Sequence, residues 1–240
     1  SDPARPEAIE SVRECKEAGI DVRMITGDHV VTAKAIARDL GIGSFDLPAI
    51  TGTELGKLED GDYDRAAAET AVFARVAPEQ KYGLVESLQK QGHVIAMTGD
   101  GVNDAPALKK ADVGVAMGKA GSEVAKDAAD IVLTDDNFAS IVAAVEEGRT
   151  VFNNLLKSLA YILPTNGGEG LVIIFALLAG VTLPVTPVQI LWINTVTAIT
   201  LALPLAFEPG EPGLMRMPPR RPNTPMLSTQ LLVRIAIVSF

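Results

Sequence analysis

Threonine, glycine and aspartate occur in this order twice in the sequence, each time directly after an apolar stretch. The first triplet is Thr26-Gly27-Asp28, and the second opens the segment Thr98-Gly99-Asp100-Gly101-Val102-Asn103-Asp104. A glycine after a strand lets the backbone approach a phosphate, and a helix that follows offers free N–H groups to an anion. Asp100 and Asp104 lie on one short loop, where two carboxylates repel each other unless a cation lies between them. Mg²⁺, a hard ion that prefers oxygen ligands, is the candidate cation.

Simpler structural roles exist for the same residues. Acidic turns that cap helices also contain Asp-Gly and Asn-Asp pairs, and Asp28 could cap the helix that follows it. For the second triplet, the order of seven residues after a buried strand favours the magnesium site. For the first triplet, the residues alone leave both roles open.

Two basic residues are candidates for binding phosphate or nucleotide. Lys81 lies in the first turn of a helix predicted to begin at Pro78, where the helix dipole disfavours a cation. A surface pair with Glu79 is one explanation, and phosphate binding is the other, because the preceding strand ends at the same edge of the predicted sheet. Arg75, within that strand, either packs at the edge of the core with its head exposed or reaches a nucleotide.

The hydrophobic pattern predicts the scaffold that positions these residues. Predicted strands alternate with segments of helical periodicity, and the stretch 43–71 contains two short helices at best. The predicted strands are 20–25, 72–76, 93–98, 113–117 and 131–133, and the predicted helices are 6–18, 31–40, 78–91, 105–110 and 122–128. This alternation is typical of an α/β fold with a doubly wound parallel sheet. In such sheets ligands bind beyond the carboxyl ends of strands, where both triplets lie.

The charge of the chain is divided unevenly. The 240 residues carry a net charge of −9. Residues 1–154 hold 16 basic and 27 acidic side chains, residues 155–240 hold 5 and 3, and between 158 and 207 the only charged side chain is Glu169. This division predicts an acidic soluble part joined to a membrane part. The lack of a basic patch excludes a general nucleic-acid binder, and the single cysteine, Cys15, excludes a disulfide framework.

The apolar part predicts two membrane helices with polar residues inside them. One helical pattern runs from Asn137 to about Gly180, and a second from Val188 to Phe207 matches a hydrocarbon core of about 30 Å. Each span contains two polar residues three positions apart, which therefore share a helix face. These pairs are Asn166 with Glu169, and Asn194 with Thr197. They form a candidate cation site, and interhelical hydrogen bonding is the alternative for Asn194 and Thr197.

Pro164 and the three glycines that follow it predict a break in the first span, which would expose carbonyl oxygens to an ion near Glu169. The loop after the second span contains three arginines, whereas the loop at about 181–187 has no charge. The positive-inside rule places the arginines and the acidic part on the cytoplasmic side. Because the sequence begins at Ser1 and contains no signal peptide, we expect an interior piece of a longer chain.

The chain resembles the P-type cation-transporting ATPases, most closely the calcium-pump-like branch. The segment from Thr98 to Pro106 is the most specific to that family. The other matching stretches are 2–5, 24–28, 73–76 with Pro78 and Lys81, 107–110, 135–138 and 187–194. The resemblance implies a haloacid-dehalogenase-like phosphorylation domain joined to the fifth and sixth membrane helices of a pump. Such a pump couples formation and hydrolysis of an aspartyl phosphate to transport of Ca²⁺ or another small cation.

The resemblance also implies roles for individual residues, with Mg²⁺ as cofactor and ATP as substrate. Asp100 would be a Mg²⁺ ligand, Asp104 would support it or share the ion, and Asn103 would contact phosphate or nucleotide. Lys81 would neutralise the phosphoryl group and, with Asp28 and Asp100, form the catalytic set. The residues expected to line the ATP side are Thr26, Gly27, Asp28 and Arg75. Those expected to line the ion site are Asn166, Glu169, Asn194 and Thr197.

We expect a multi-pass membrane protein, and the compact loops favour the plasma membrane of a prokaryote. The expected segments are the C-terminal part of the phosphorylation domain (1–136), a stalk helix (137–157), two transmembrane helices (158–207), a cytoplasmic loop rich in proline and arginine (208–230) and the start of a further transmembrane helix (231–240). The expected partners are the transported cation, the lipid bilayer and the rest of the pump chain. That remainder comprises the nucleotide-binding domain, the actuator domain and other membrane helices.

Two departures from the family pattern affect these expectations. The phosphorylated aspartate of the family lies in an Asp-Lys-Thr-Gly motif, and no Asp-Lys pair occurs here, so we expect this chain to be inactive alone. Calcium pumps also have an aspartate where this chain has Ala198, which leaves Ca²⁺, another divalent ion or a monovalent ion open. The alternative functions are a membrane-anchored phosphatase of the same fold and a non-catalytic membrane scaffold. The presence of Lys81 together with Asp100 argues against the scaffold.

Overall fold

The computed structural model describes residues 4–43 and 48–239 of the chain. The chain divides into two compact units. The first comprises Ser1–Ala144 and Met215–Pro222, and the second comprises Val145–Leu214 and Asn223–Phe240. Asp2 and Pro3, in one of the stretches that carry the resemblance, lie outside the described residues, as does Phe240 at the end of the expected last span.

Short strands alternate with helices in the first unit. The strands are β1 (Met24–Thr26), β2 (Ala49–Thr51), β3 (Val72–Ala74), β4 (Ala96–Gly99), β5 (Val113–Met117) and β6 (Ile131–Leu133). The helices are α1 (Pro6–Glu17), α2 (Val30–Asp39), α3 (Gly52–Leu55), α4 (Asp60–Glu69), α5 (Pro78–Lys90), α6 (Ala105–Lys110) and α7 (Glu123–Ala128). All the strand pairs of the described residues are parallel. The predicted α/β class with parallel strands is therefore confirmed.

The six strands form two hydrogen-bonded ladders that share an apolar core. Their strand orders are β1-β3-β2 and β4-β5-β6. Ile25 of β1 and Ile95, just before β4, each pack against both the cluster around Phe73 and the cluster around Met97. These shared contacts pack the two ladders around one core, and both Thr-Gly-Asp triplets follow strands of these ladders.

Several elements differ from their predicted bounds. β1 and β4 are shorter than the predicted strands 20–25 and 93–98, and β2 lies in the stretch 43–71, for which only helices are predicted. A strand of three residues contains too few side chains to show a period of two. Its pairing with β3 defines β2, and that pairing is a tertiary contact.

The segment Met215–Pro222 belongs to the first unit although it is distant in sequence. One place where this segment lies against the first unit is Gly19, which follows α1 with a φ of +73°. A Cβ at Gly19 would lie 2.8 Å from Cδ of Pro219. Glycine is therefore required there both for the backbone conformation and for the contact.

The second unit is helical, and its long helix begins in the first unit. Its helices are α8 (Phe138–Leu178), α9 (Pro187–Thr197), α10 (Leu203–Ala206) and α11 (Thr229–Ser239). Thr186 caps α9 in a capping box with Gln189. Two stretches, Phe138–Leu178 and Pro187–Ala206, are long and apolar enough to cross a membrane.

The predicted break at Pro164 is wrong. α8 runs without interruption through this residue, and the Thr165 hydroxyl donates to the carbonyl of Ile162 at 2.9 Å. Threonine side chains and neighbouring helices can satisfy carbonyl groups around a membrane proline, so the proline need not end the helix. The irregular backbone lies in the second span instead, where the π-helical turn Ala198–Ala202 separates α9 from α10.

Candidate phosphate and cation sites

The second Thr-Gly-Asp triplet lies where β4 ends, and the loop after it turns back on itself. A 3-10 turn, Val102–Asp104, leads directly into α6. A Cβ at Gly99 would lie 2.6 Å from Cβ of Asp104, so only glycine allows Asp104 to approach the end of the strand. The loop thus places Asp104 against its own first residues.

The Asp104 carboxylate is fully engaged by the protein. The residue is 7% exposed. Its Oδ1 is 2.6 Å from Nζ of Lys81, and its Oδ2 accepts the backbone N–H groups of Asp100 at 3.3 Å and Gly101 at 3.2 Å. A buried charge with both a cationic partner and backbone donors is well compensated. This geometry suits Asp104 to holding the loop and Lys81 in place.

Asp100 and Asn103 differ from Asp104 in being exposed. Among the described residues, no side chain or backbone group donates to the Asp100 carboxylate. A free carboxylate on a loop fixed by its neighbours fits Mg²⁺, which binds through one or two carboxylates and keeps several waters. Of the two predicted ligands, Asp100 is thus the one whose oxygens are available.

Lys81 contacts Asp104 rather than Glu79, the alternative partner that the sequence offered. The side chain is 16% exposed, and the start of α5 fixes its position. Gln80 accepts the N–H of Ala77 at 3.0 Å and donates to the carbonyl of Gly52 at 2.7 Å, which ties the first turn to the start of α3. The ammonium group is therefore held beside the Asp100 loop.

Backbone hydrogen bonds join the first triplet to Arg75. The N–H of Asp28 donates to Oγ1 of Thr26 at 3.1 Å, and the N–H of Arg75 donates to the carbonyl of Asp28 at 3.2 Å. Arg75 has a φ of +51°, which is strained for a residue with a long side chain. The N-cap of α2 is His29, so the helix-capping role considered for Asp28 belongs to its neighbour.

The structure places the predicted site residues in two groups, one around each triplet. Among the described residues, no hydrogen bond joins the two triplets. Thr26, Gly27, Asp28 and Arg75 form one group, and Lys81, Asp100, Asn103 and Asp104 lie on or beside one loop. Both groups lie at the carboxyl ends of strands, where an α/β fold binds its ligands.

In the second unit, the two predicted spans meet through a polar contact. Nδ2 of Asn194 in α9 donates to Oε2 of Glu169 in α8 at 3.0 Å. Both side chains are partly buried. The contact leaves the second carboxylate oxygen of Glu169 and the amide oxygen of Asn194 as acceptors.

A cavity of about 230 Å³ lies between the same helices. Its lining residues are Tyr161, Ile162, Thr165, Asn166, Asn194, Thr197 and Ala198. Three of the four predicted ion-site residues line this cavity. The fourth, Glu169, is hydrogen-bonded to the lining residue Asn194. Tyr161 and Thr165 were not predicted from the sequence, although they precede Glu169 at intervals of four residues and so share its helix face.

Comparison with known proteins assigns the chain to a family. Models described as "haloacid dehalogenase-like hydrolase" match residues 1–112 and 83–145, and one described as "Cation transporting ATPase, C-terminus" matches residues 182–240. The chain is 55% identical to "Cation-transporting ATPase pma1" of Synechocystis sp. over 99% of its length. This chain belongs to the P-type cation-transporting ATPase family.

Other relatives are similar to the chain over the same extent. It is 58% identical to "Probable cation-transporting ATPase F" of Mycobacterium tuberculosis over 100% of its length, and 46% identical to "Calcium-transporting ATPase" of Bacillus subtilis over 96%. It spans 26–27% of the length of these relatives. The haloacid-dehalogenase-like fold expected from the resemblance is confirmed by the family models.

Proposed function

We propose that the chain is part of an ATP-driven pump that couples formation and hydrolysis of an aspartyl phosphate to transport of a small cation. The observation that carries this proposal is that two aspartates on one loop, Asp100 and Asp104, have different surroundings. The Asp104 carboxylate is bound by Lys81 and the backbone, whereas no group within residues 4–43 and 48–239 donates a hydrogen bond to the Asp100 carboxylate on the same loop.

On the phosphate side, Asp100 would hold Mg²⁺, which neutralises charge on the transferring phosphoryl group when it is bound. Lys81 would stabilise the same developing charge, because a fixed cation in a partly buried site acts without reorganisation. Thr26, Gly27, Asp28 and Arg75 would contact ATP, and Asn103 would contact phosphate or nucleotide. The aspartate that accepts the phosphoryl group would lie outside this chain, since the chain contains no Asp-Lys pair, and the chain alone would be inactive.

On the membrane side, Glu169, Asn194, Asn166 and Thr197 would contribute oxygen ligands to the cation. A carboxylate among apolar helices is costly, and its hydrogen bond to Asn194 positions it without neutralising it. A membrane-anchored phosphatase, the alternative function, requires no polar contact or cavity between its anchoring helices. These two features therefore support transport.

The remaining proposals concern location and partners. We place the first unit on the cytoplasmic side of a prokaryotic plasma membrane, with residues 137–157 as the stalk, 158–207 as two spans, 208–230 as a cytoplasmic loop and 231–240 at the start of another span. The nucleotide-binding domain, the actuator domain and further membrane helices would come from the rest of the pump.

The decisive experiment is a screen of cations for stimulation of ATP hydrolysis and phosphoenzyme formation by the full-length protein. We expect one or a few small cations to stimulate both activities, and Asp100→Asn to abolish phosphoenzyme formation. Asp62→Asn, which changes an exposed acid on α4, serves as the control. Normal phosphoenzyme levels in Asp100→Asn, or hydrolysis that is indifferent to every cation, would overturn the proposal.

A further inference from the structure

Asp136 connects two parts of the first unit that are well separated in sequence. It lies two residues before α8, and its carboxylate accepts the N–H groups of three consecutive residues in the loop after β5. The distances are 2.7 Å from Oδ1 to N of Gly118, 2.9 Å from Oδ1 to N of Lys119 and 2.7 Å from Oδ2 to N of Ala120. The N–H of Lys119, followed by those of Ala120 and Gly118, holds the pKa of Asp136 below its usual value.

The backbone of Asp136 is held in an unusual conformation. Its φ is +54°, a region that few residues other than glycine adopt, although aspartate and asparagine tolerate it. Such a conformation persists where the surrounding contacts over-determine it, and here three hydrogen bonds do so. The chain direction at the entry to α8 therefore depends on the loop that Asp136 binds.

The other end of that loop contacts the candidate magnesium segment. The N–H of Ser122 donates to the carbonyl of Asp100 at 2.8 Å. The hydroxyl of Ser122 accepts the N–H of Ala125 at 3.2 Å and so caps α7. Residues 118–122 thus join Asp100, at one end, to Asp136, at the other.

This loop has little room to absorb a displacement. A Cβ on Gly118 would lie 2.6 Å from the carbonyl oxygen of Leu133, and a Cβ on Gly121 would collide with the carbonyl oxygen of Met117. Tight contacts of this kind transmit strain rather than absorb it. A shift of the Asp100 carbonyl would therefore be transmitted along the loop.

The first turns of α8 are fixed to the same unit. Phe138 packs against the core cluster that contains Val12 and Ala33, and Val142 is 4% exposed. By contrast with Asp136, the neighbouring Asp135 carboxylate accepts, among the described residues, only local hydrogen bonds at the entry to the helix, from the N–H of Asn137 and the hydroxyl of Ser140.

We propose that Asp136 is a positioning residue that transmits displacements of the Asp100 loop to the start of α8, the helix that contains Glu169. This coupling rests on the proposed function, because it requires that phosphate and Mg²⁺ bind beside Asp100. Asp136 itself contacts neither group.

Three variants of the full-length protein separate this role from a merely structural one. Asp136→Gly keeps the backbone freedom at positive φ and removes the acceptor. Asp136→Asn keeps the side-chain volume but turns an N–H donor toward one of the loop N–H groups. Asp135→Asn is the matched control, since it changes the adjacent acid, whose hydrogen bonds stay within the helix entry.

The measurement is hydrogen exchange with and without Mg²⁺ and beryllium fluoride, which together mimic an aspartyl phosphate. In the wild-type protein and in Asp135→Asn, we expect exchange to change in peptides covering 98–104 and 138–148. In both Asp136 variants we expect the change at 98–104 to remain, and the change at 138–148 to fall about fivefold or more, the size of a typical coupling between sites.

An undiminished response of 138–148 in the Asp136 variants overturns the coupling and leaves the proposed function intact. An absent response at 98–104 in the wild-type protein overturns the proposed function and the coupling together. Asp136→Asn decides the question where Asp136→Gly does not accumulate as a folded protein, because asparagine tolerates the same backbone conformation.

Discussion

The two units hold their central carboxylates by different means. In the α/β unit, Asp104 accepts backbone N–H groups of Asp100 and Gly101 as well as the ammonium of Lys81. In the helical unit, Glu169 accepts the side-chain amide of Asn194. In loops of the first unit, backbone N–H groups are available to bind a carboxylate, whereas a helix uses its N–H groups in its own hydrogen bonds.

This difference has a consequence for function. A carboxylate held by backbone donors is fixed by the fold, and its position changes only when the loop moves. A carboxylate held by one side chain can reorient when that side chain rotates, which suits a site that must bind and release an ion. The predictions below test this contrast, beginning with the variant of largest effect.

Lys81→Met should have the largest effect, because it removes the cation beside the Asp100 loop and leaves Asp104 buried without its charged partner. We expect phosphoenzyme formation from ATP to fall about 10²–10³-fold, as for loss of one preorganised electrostatic group. Rapid-quench phosphorylation of the full-length protein measures it. Lys90→Met, which breaks an exposed pair with Glu86 on the same helix, should behave as wild type, and a comparable rate for Lys81→Met would contradict the assignment.

Glu169→Gln should raise the cation concentration for half-maximal phosphorylation about 10–100-fold. The variant keeps the shape of the side chain and removes its charge, and an interaction with a charged group contributes about 1.5–3 kcal/mol. The cation is the one that stimulates the wild-type protein most strongly. The control is Glu147→Gln, an exposed acid on α8, and an equal shift in both variants would show a general rather than a site effect.

Asn194→Ala should have a smaller effect of the same kind, because it removes the group that positions the carboxylate. A hydrogen bond of this kind contributes about 0.5–1.5 kcal/mol, so we expect a shift of about 2–10-fold. Thr195→Ala, which removes a hydroxyl bonded within its own helix, is the control. The double variant separates the two roles proposed for Asn194. It should match Glu169→Gln if Asn194 only positions the carboxylate, and shifts that add would support its role as a ligand of the cation.

We expect the smallest effect for Asp136, whose carboxylate is held by backbone donors and whose contribution to stability depends on pH. The N–H of Lys119 leads the hydrogen bonds that lower the pKa of Asp136 in the folded protein. The ionised Asp136 carboxylate therefore stabilises the folded protein at pH values above the pKa that this group has in the unfolded chain. This contribution is lost as the pH falls through its lower pKa in the folded protein, below about pH 4. Thermal unfolding from pH 3 to 7 should show the wild type losing its advantage over Asp136→Asn toward the acid end. A stability difference that grows toward low pH would contradict the predicted direction of the pH dependence.

The elements that could be predicted are those whose signal lies within one segment. α6, β5 and β6 have the predicted bounds, since their apolar runs are bounded by clear turns. β2 could not be predicted, because three residues show no period and pairing with β3 defines the strand. Pro164 gave the wrong result, because the surroundings of a proline decide whether a helix continues.

The candidate sites show the same limit. The types and spacing of Asp100, Asn103 and Asp104 predicted a magnesium loop, but not which aspartate is free. The pairing of Lys81 with Asp104 joins residues 23 positions apart. No spacing rule relates residues that far apart, so the sequence alone suggested the neighbouring Glu79 as the partner of Lys81.

The sequence by itself determined the family, the parallel α/β class and the two apolar stretches, and it predicted the candidate site residues, because motif order, hydrophobic period and charge division are properties of the chain. The tertiary structure decided which of those residues contact one another: Lys81 with Asp104, Glu169 with Asn194, and Asp136 with the loop 118–122. Such contacts depend on how separate elements pack, and packing brings together groups whose separation along the chain carries no trace of their proximity.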